Sequence, residues 1–189
     1  VASYLDSDRG ELLNRALSGF TPGSVFKTAV AAAALEENPA SLSRTYTCKG
    51  FIDVDGTVIH CHNRNGHGTL TLREAFAQSC NPYFIDLGLS LGKEAIESTA
   101  YKMGLFRHAG VSLLPCDKGV FPAGTLYPAE LANLSVGQGD MLLSPVEVCS
   151  MISTAVTGKY RKPSLVKSLS NGGMLARYEK DGEAALKDE

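Results

Sequence analysis

A serine and a lysine three residues apart, Ser24 and Lys27, lie where a turn meets an alanine-rich run. Pro22 and Gly23 favour a turn, and the strong helix formers at 25–36 predict a helix with Ser24 at its N-terminus. Residues three apart share a helix face, which brings the hydroxyl and the amine within hydrogen-bonding reach. Burial and the helix dipole favour the neutral amine, which can take the hydroxyl proton. The pair predicts an activated nucleophile; the alternative is an N-cap serine beside a solvated lysine.

The Ser-x-x-Lys pattern alone is weak evidence for a nucleophile, so the surrounding sequence must distinguish this pair from others. It occurs at Ser24/Lys27, Ser90/Lys93 and Ser164/Lys167. Gly92 predicts a helix end between Ser90 and Lys93, and Pro163 predicts an extended segment around Ser164. Only the first pair combines a turn with a following helix.

A second polar pair, Ser79 and Asn81, is predicted at a corner between two helices, and it is the only Ser-x-Asn in the chain. Thr71 and Glu74 form a capping box for a helix that ends near Ser79, and Pro82 suits the first turn of the next helix. Such a corner can direct a hydroxyl and an amide into a cleft. The alternative is that both residues are ordinary helix caps.

The remaining segments predict a mainly helical body with short β-ribbons and loops. Two helical segments, "NPYFIDLGLSLG" and "KEAIESTAYKMG", follow the corner. A further helix, "SPVEVCSMISTAVTG", begins with a capping box and ends at Gly158. Asp55-Gly56 lies between two β-prone runs and predicts a hairpin.

The cysteines leave several outcomes open. They are five in number, an odd count without a Cys-x-x-Cys pair: Cys48, Cys61, Cys80, Cys116 and Cys149. The hairpin can bring Cys48 and Cys61 together as a disulfide, whereas unpaired thiols are the commonest outcome for such a set. Cys48 and Cys61 with His62 and His67 also offer zinc ligands, but their spacing matches no standard finger, and no metal site is expected.

Composition limits the classes of function. The chain has 189 residues, enough for about one domain with a core, and a formal net charge of −2 without a basic block. Nucleic acid is therefore not expected as a partner. The Gly-x-Gly of "VGQGD" lacks the leading strand and full glycine pattern of a nucleotide site, so Gly137 and Gly139 are expected to serve backbone geometry. No apolar run is long enough to span a bilayer, and no signal peptide begins the sequence.

Taken together, the motifs resemble those of the penicillin-binding protein transpeptidases and the related serine β-lactamases. Three blocks are similar to successive parts of a transpeptidase domain: "LLNRALSGFTPGSVFK", "NGHGTLTLREAFAQSCNPYF" and "LANLSVGQGDMLLSPVEV". The resemblance implies an α+β, β-lactamase/transpeptidase-like fold, mostly the helical subdomain with an incomplete central antiparallel sheet. It also implies that "VGQGD" is a buried loop near the active-site floor.

The resemblance implies a peptidoglycan D,D-transpeptidase that needs no cofactor. Ser24 would attack the penultimate D-alanine carbonyl of a stem peptide ending in D-Ala-D-Ala, with Lys27 as base. Ser79 would relay a proton to the leaving amine, and Asn81 would hold the substrate backbone and help to position Lys27. The Ser24 backbone N–H would supply half of the oxyanion hole. β-Lactams would acylate the same serine.

The resemblance also implies a place in the cell and a set of partners. The expected location is the extracytoplasmic face of the bacterial cytoplasmic membrane, with an N-terminal anchor helix in the parent protein. Other cell-wall synthesis proteins are expected as partners.

One family motif is missing. The family carries Lys-Thr-Gly or Lys-Ser-Gly on a strand beside the cleft, and neither triplet occurs here. Thr157, Gly158 and Lys159 have the letters in the wrong order at a predicted helix end. We therefore expect residues 1–189 to form part of a transpeptidase domain, without that strand and the C-terminal part, and to be inactive or weakly active in isolation. The alternative is a non-catalytic penicillin-binding-protein-like module or inactive fragment; a β-lactamase is less favoured because no deacylating carboxylate motif is evident.

Overall fold

The computed structural model describes residue 11 and residues 13–107, 118–164, 168–171, 174–177 and 182–187. The α-helices in this part of the chain are α1 (Lys27–Glu37), α2 (Leu72–Ala77), α3 (Asn81–Leu91), α4 (Lys93–Lys102), α5 (Pro128–Ser135) and α6 (Pro145–Thr157). The strands are β1 (Thr45–Cys48), β2 (Phe51–Val54), β3 (Thr57–His60), β4 (Gly68–Thr71), β5 (Lys159–Tyr160), β6 (Ser168–Asn171), β7 (Met174–Arg177) and β8 (Glu183–Ala184). Cys116 and Lys167, singled out above, lie outside the described residues.

Helix α1 is the central element of the helical body. It packs against α4, and it also contacts α3 and α6. Its buried face consists mainly of small residues, such as Ala29 and Ala33, which allow neighbouring helices to approach closely. A 3-10 helix, Gly23–Phe26, runs directly into α1, and the fully buried Phe26 anchors it in the core. The predicted helix is confirmed, with Ser24 in this 3-10 turn and Lys27 as the first α-helical residue.

The strands form two-stranded antiparallel ribbons throughout the described residues. Strand β1 pairs with β4, and the hairpin β2–β3 lies between them in sequence. Asp55 and Gly56 at the hairpin tip have φ values of 49° and 85°, as a two-residue turn with both φ positive requires. The predicted hairpin is confirmed, and strands β1, β2 and β3 all contact α3.

The helix boundaries follow the predicted capping signals. Helix α2 begins with the capping box of Thr71 and Glu74, and α6 begins with that of Ser144 and Glu147. Helix α6 ends at Gly158, whose φ of 68° lies in the left-handed region that glycine favours. The reversed triplet therefore lies at a helix end, as predicted. No helix among the described residues is long and apolar enough to cross a membrane.

Candidate active site

The Lys27 amine is the centre of a polar cluster that joins the two sequence motifs. Its Nζ lies 3.2 Å from Ser24 Oγ and 2.9 Å from Ser79 Oγ. It also donates to the Ser79 carbonyl oxygen at 2.8 Å and to Asn81 Oδ1 at 2.7 Å. The structure thus brings together the residues that the two motifs nominated more than fifty positions apart.

The partners of Nζ accommodate both protonation states of the amine. The Ser79 carbonyl oxygen and Asn81 Oδ1 can only accept, so they take two N–H donors in either state. A neutral amine then keeps its lone pair for a hydroxyl, and Ser24 Oγ and Ser79 Oγ are the hydroxyls within reach. A protonated amine instead has a third N–H to donate to one of them. The cluster can therefore receive a proton from one serine and pass a proton to the other.

Burial differs sharply between the serine and the lysine. Lys27 is 2% exposed, whereas Ser24 is exposed. Burial lowers the pKa of Lys27 to about 8, and the nearby Cys80 and Cys61 oppose this change in part. The partners of Nζ in the cluster are neutral groups, so none of them supplies a counter-charge. An accessible nucleophile beside a buried base with a lowered pKa is the arrangement that serine activation requires.

The corner between α2 and α3 aims Ser79 at the lysine. Cys80 N donates to Ala75 O at 2.9 Å, and Ser79 N donates to Phe76 O at 3.0 Å, which is a Schellman ending for α2. The position with positive φ in this motif is usually glycine, but here Ser79 has a φ of 49°. A serine in this conformation costs about 1 kcal/mol or more. The strain coincides with two contacts to Lys27 Nζ, through the Ser79 carbonyl oxygen and hydroxyl.

The turn that carries Ser24 rests on the "VGQGD" loop. Gly23 N donates to Gly137 O at 2.9 Å. Gly137 has a φ of 74°, a conformation that favours glycine. A Cβ at this position would also collide with the Gly23 carbonyl oxygen, so both the backbone conformation and the close contact exclude a side chain. The expected proximity to the site is confirmed. The expected burial holds for Val136 and Gly137, which adjoin the Ser24 turn, whereas residues 138–140 are exposed.

The second Ser-x-x-Lys pair has unrelated contacts. Ser90 Oγ donates to Leu87 O at 2.7 Å and accepts from Arg44 Nη1 at 2.7 Å. Lys93 Nζ donates to Gly124 O at 2.6 Å. These side chains therefore stabilise the end of α3 and a neighbouring loop. The third pair cannot be compared, because Lys167 lies outside the described residues.

A cysteine–histidine cluster lies beside the same corner. The Sγ atoms of Cys48, Cys61 and Cys80 and a ring nitrogen of His67 lie within 4.8 Å of one another. The cysteines are buried free thiols, so the disulfide considered from the sequence is not formed in the structure. The set considered from the sequence contained His62 and lacked Cys80. The missed signal was that Cys80 occupies the middle of the Ser-x-Asn corner, which packs against the ribbons.

Comparisons with known proteins identify the family. The sequence matches the penicillin binding protein transpeptidase domain family over residues 2–187, and the chain belongs to that family. It is 38% identical over 143 residues to stage V sporulation protein D of Bacillus subtilis, covering 75% of this chain and 22% of that protein. It is 33% identical over 174 residues to the peptidoglycan D,D-transpeptidase PbpA of Mycobacterium tuberculosis, covering 87% of this chain and 34% of that protein. The chain thus spans about a third or less of the length of these relatives.

Solved structures agree with this assignment. The penicillin G acyl-enzyme complex of penicillin-binding protein A from M. tuberculosis superposes with a TM-score of 0.83 at 29% identity, covering 98% of this chain and 44% of that one. Penicillin-binding protein PBP2 from Helicobacter pylori, in complex with MreC, gives a TM-score of 0.81 at 25% identity, covering 93% of this chain and 34% of that one. The expected transpeptidase-like α+β fold is confirmed.

Proposed function

We propose that the whole protein to which this chain belongs is a peptidoglycan D,D-transpeptidase that works through an acyl-enzyme on Ser24. The observation that carries the proposal is the convergence of Lys27 Nζ on Ser24 Oγ, Ser79 Oγ and Asn81 Oδ1. Family membership supports it, as do the D,D-transpeptidase names of relatives and the penicillin acyl-enzyme of a structural neighbour.

The proposed first step is acylation of Ser24. Neutral Lys27 takes the hydroxyl proton while Ser24 Oγ attacks the penultimate D-alanine carbonyl of the stem peptide. The negative charge moves to the carbonyl oxygen, where the Ser24 backbone N–H donates to it. The proton on Lys27 then passes through Ser79 to the leaving amine, and the C–N bond breaks. The products are an ester on Ser24 and free D-alanine, with Lys27 neutral again.

The proposed second step transfers the acyl group. An amine from a neighbouring peptidoglycan strand attacks the ester carbonyl and loses a proton through Ser79 to Lys27. The C–Oγ bond breaks, and Ser24 recovers its proton from Lys27. The peptide cross-link forms without any external energy source, since one amide bond replaces another. Asn81 holds the peptide backbone of the substrate and fixes Lys27 through its Oδ1 contact at 2.7 Å.

Two functions of the reaction depend on a family motif that the sequence lacks. The substrate carboxylate needs a cation, and the oxyanion needs a second donor, both of which the Lys-Thr-Gly or Lys-Ser-Gly strand supplies in the family. The sequence contains neither triplet. We infer that residues 1–189 form part of a transpeptidase domain and that the whole protein supplies this strand. Loss of one oxyanion donor typically lowers the rate about a hundredfold or more. The isolated chain is therefore expected to be acylated at least about a hundredfold more slowly than the whole protein.

The proposal includes the protein's location and partners. We place the site on the extracytoplasmic face of the bacterial cytoplasmic membrane, where the stem peptide is found and where a membrane anchor elsewhere in the whole protein would hold it. β-Lactams are expected ligands because they mimic the D-Ala-D-Ala end. Other cell-wall synthesis proteins are expected partners, as for the H. pylori protein in complex with MreC.

The alternative is a non-catalytic module that binds without turnover. The deciding experiment treats the whole protein with a fluorescent penicillin and maps the adduct by mass spectrometry. A transpeptidase is expected to carry one adduct, on the peptide that contains Ser24. Absence of any adduct would instead support the module, and an adduct on another serine would contradict the assignment of the nucleophile.

A further inference from the structure

The cysteine–histidine cluster brings together side chains from separate parts of the chain. Cys48 ends β1, Cys61 follows β3 directly, His67 precedes β4, and Cys80 lies between α2 and α3. Their Sγ atoms and one histidine ring nitrogen are within 4.8 Å of one another. The cysteines are buried and the histidine is half-buried. The acyl-transfer steps proposed for Lys27 and the serines use none of these side chains.

The geometry is close to that of a tetrahedral zinc site. Zinc binds thiolate sulfur at about 2.3 Å and histidine nitrogen at about 2.0 Å, which places tetrahedral ligands about 3.6 to 3.8 Å apart. Cys61 Sγ lies 3.6 Å from His67 Nδ1. Since no two ligand atoms are more than 4.8 Å apart, the widest pair needs to close by about 1 Å.

Backbone contacts hold the ribbon in the shape that gathers the ligands. Cys61 N donates to Gly50 O at 2.9 Å, and His67 N donates to Cys48 O at 3.1 Å. Gly50 has a φ of 90°, and a Cβ there would collide with the Arg64 carbonyl oxygen. The two loops therefore cross at a distance that only glycine permits.

The chemistry of the cluster also favours a cation. Thiols are weak hydrogen-bond donors and acceptors, so three of them with an imidazole satisfy one another poorly in a buried site. A disulfide would use only two of the cysteines and would leave the third thiol beside the imidazole.

We propose that Cys48, Cys61, His67 and Cys80 bind a single Zn²⁺ ion. Three thiolates and one imidazole complete a tetrahedral shell, which leaves no open position for water or substrate, so the site is structural. The ion would link the β-ribbons to the corner between α2 and α3 through Cys80. Because Ser79 and Asn81 flank Cys80, the ion would hold both residues in place around Lys27.

Metal analysis of the whole protein tests the site directly. We expect about one zinc per chain by mass spectrometry of the metal, and loss of that zinc in Cys61→Ser. Cys149→Ser is the matched control, since Cys149 is an exposed free thiol outside the cluster, and it should keep the metal. Co²⁺ in place of zinc should give the visible bands of a tetrahedral thiolate site. Zinc-free protein with two cluster cysteines joined as a disulfide would overturn the proposal.

Histidine variants test the ligand set. His67→Asn should lose zinc, whereas His67→Cys should retain it, because four cysteines also form a stable zinc site. If the imidazole served only for packing, His67→Cys would have no reason to retain zinc better than His67→Asn. His62 Nδ1 is 3.9 Å from Cys61 Sγ, and His62→Asn should keep the metal. Zinc loss in His62→Asn with retention in His67→Asn would show that the assigned ligand set is wrong.

A separate measurement tests whether the ion positions the corner, and this part rests on the proposed function. Zinc removal by a chelator should slow acylation by a fluorescent penicillin about 10- to 100-fold, and Zn²⁺ but not Mg²⁺ should restore the rate. Unchanged acylation in zinc-free protein would overturn the positioning role and leave the metal site intact. Absence of acylation in zinc-loaded wild type would instead contradict the proposed function, and the zinc content would still report on the site.

Discussion

Two polar clusters meet at the corner between α2 and α3, and they satisfy burial in different ways. The Lys27 amine is surrounded by oxygen atoms of Ser24, Ser79 and Asn81 at 2.7 to 3.2 Å. The second cluster, which contains Cys80, consists of three thiols and an imidazole, and these groups form only weak hydrogen bonds with one another. The first cluster is complete with protein atoms, and the second is completed by the proposed ion.

One corner of the fold therefore takes part in two clusters of different chemistry. The lysine cluster exchanges protons, so its amine must be able to hold either protonation state near working pH. The proposed ion would instead hold the sulfurs of the cysteine cluster as thiolates, whose charge then stays fixed. If the clusters have separate roles, variants of the amine side should change acylation and leave the zinc content unchanged.

The largest effect is expected for Ser24→Ala. It should abolish labelling of the whole protein by a fluorescent penicillin, because the hydroxyl oxygen forms the acyl bond. Ser90→Ala is the matched control, since Ser90 belongs to the other described Ser-x-x-Lys pair and bonds Leu87 O. Labelling should persist in the control, and both variants should keep their zinc. Residual stoichiometric labelling of Ser24→Ala would show that another residue is the nucleophile.

Lys27→Ala should slow acylation by about 10² to 10⁴, the usual contribution of a general base. The matched control is Lys93→Ala, which removes a lysine that donates to Gly124 O and pairs with Glu97, outside the Lys27 cluster. Stopped-flow or gel-based acylation rates distinguish the two variants. Equal rates in Lys27→Ala and wild type would remove the amine from the mechanism. Zinc loss in Lys27→Ala would show that the two clusters depend on each other.

The pH dependence of acylation should report on the Lys27 amine. With a pKa lowered to about 8 by burial, the neutral fraction of the base increases as pH rises. The acylation rate should therefore rise about tenfold from pH 7 to pH 9 and then level off. Circular dichroism over the same range checks that the fold is retained. A rate that falls over this interval would contradict a neutral lysine as base.

Asn81→Asp tests whether Lys27 is the group that sets the pH dependence of acylation. The substitution places a carboxylate where Asn81 Oδ1 now lies, 2.7 Å from Nζ. A negative charge at that distance favours the ammonium form and raises the pKa of Lys27. The rise in acylation rate should shift to higher pH, whereas Asn81→Ala should weaken acylation without that shift. An unshifted profile in Asn81→Asp would mean that another group sets the pH dependence.

The smallest effect concerns the strain at Ser79. Ser79→Ala and Ser79→Gly both remove the hydroxyl, but only glycine adopts a φ of 49° without cost. Ser79→Gly should therefore be about 1 kcal/mol more stable than Ser79→Ala in denaturant unfolding. Both variants should acylate more slowly than wild type. Equal stability of the two would show that the corner relaxes rather than storing strain.

Much of the local structure was readable from the sequence. The capping boxes of Thr71 and Ser144, the turn at Asp55-Gly56 and the helix after Gly23 depend on interactions within a few residues. The Ser-x-x-Lys and Ser-x-Asn patterns predicted the members of the Lys27 cluster for the same reason, because each pattern lies within one local element. Their order along the chain was sufficient for the resemblance to a transpeptidase.

Contacts between residues far apart in the sequence depend on how the helices and ribbons pack together. The distance from Lys27 Nζ to Asn81 Oδ1 depends on how α1 packs against α3, and the burial of the amine depends on the whole core. Ser79 in a left-handed conformation was not foreseen, because its contact with Lys27 outweighs the local preference for glycine. The proximity of Cys80 to Cys48 also depends on tertiary packing, because the two residues belong to different elements. Residues far apart in sequence meet only when the ribbons pack on α3, since long-range contacts are set by the shared core and not by neighbours along the chain.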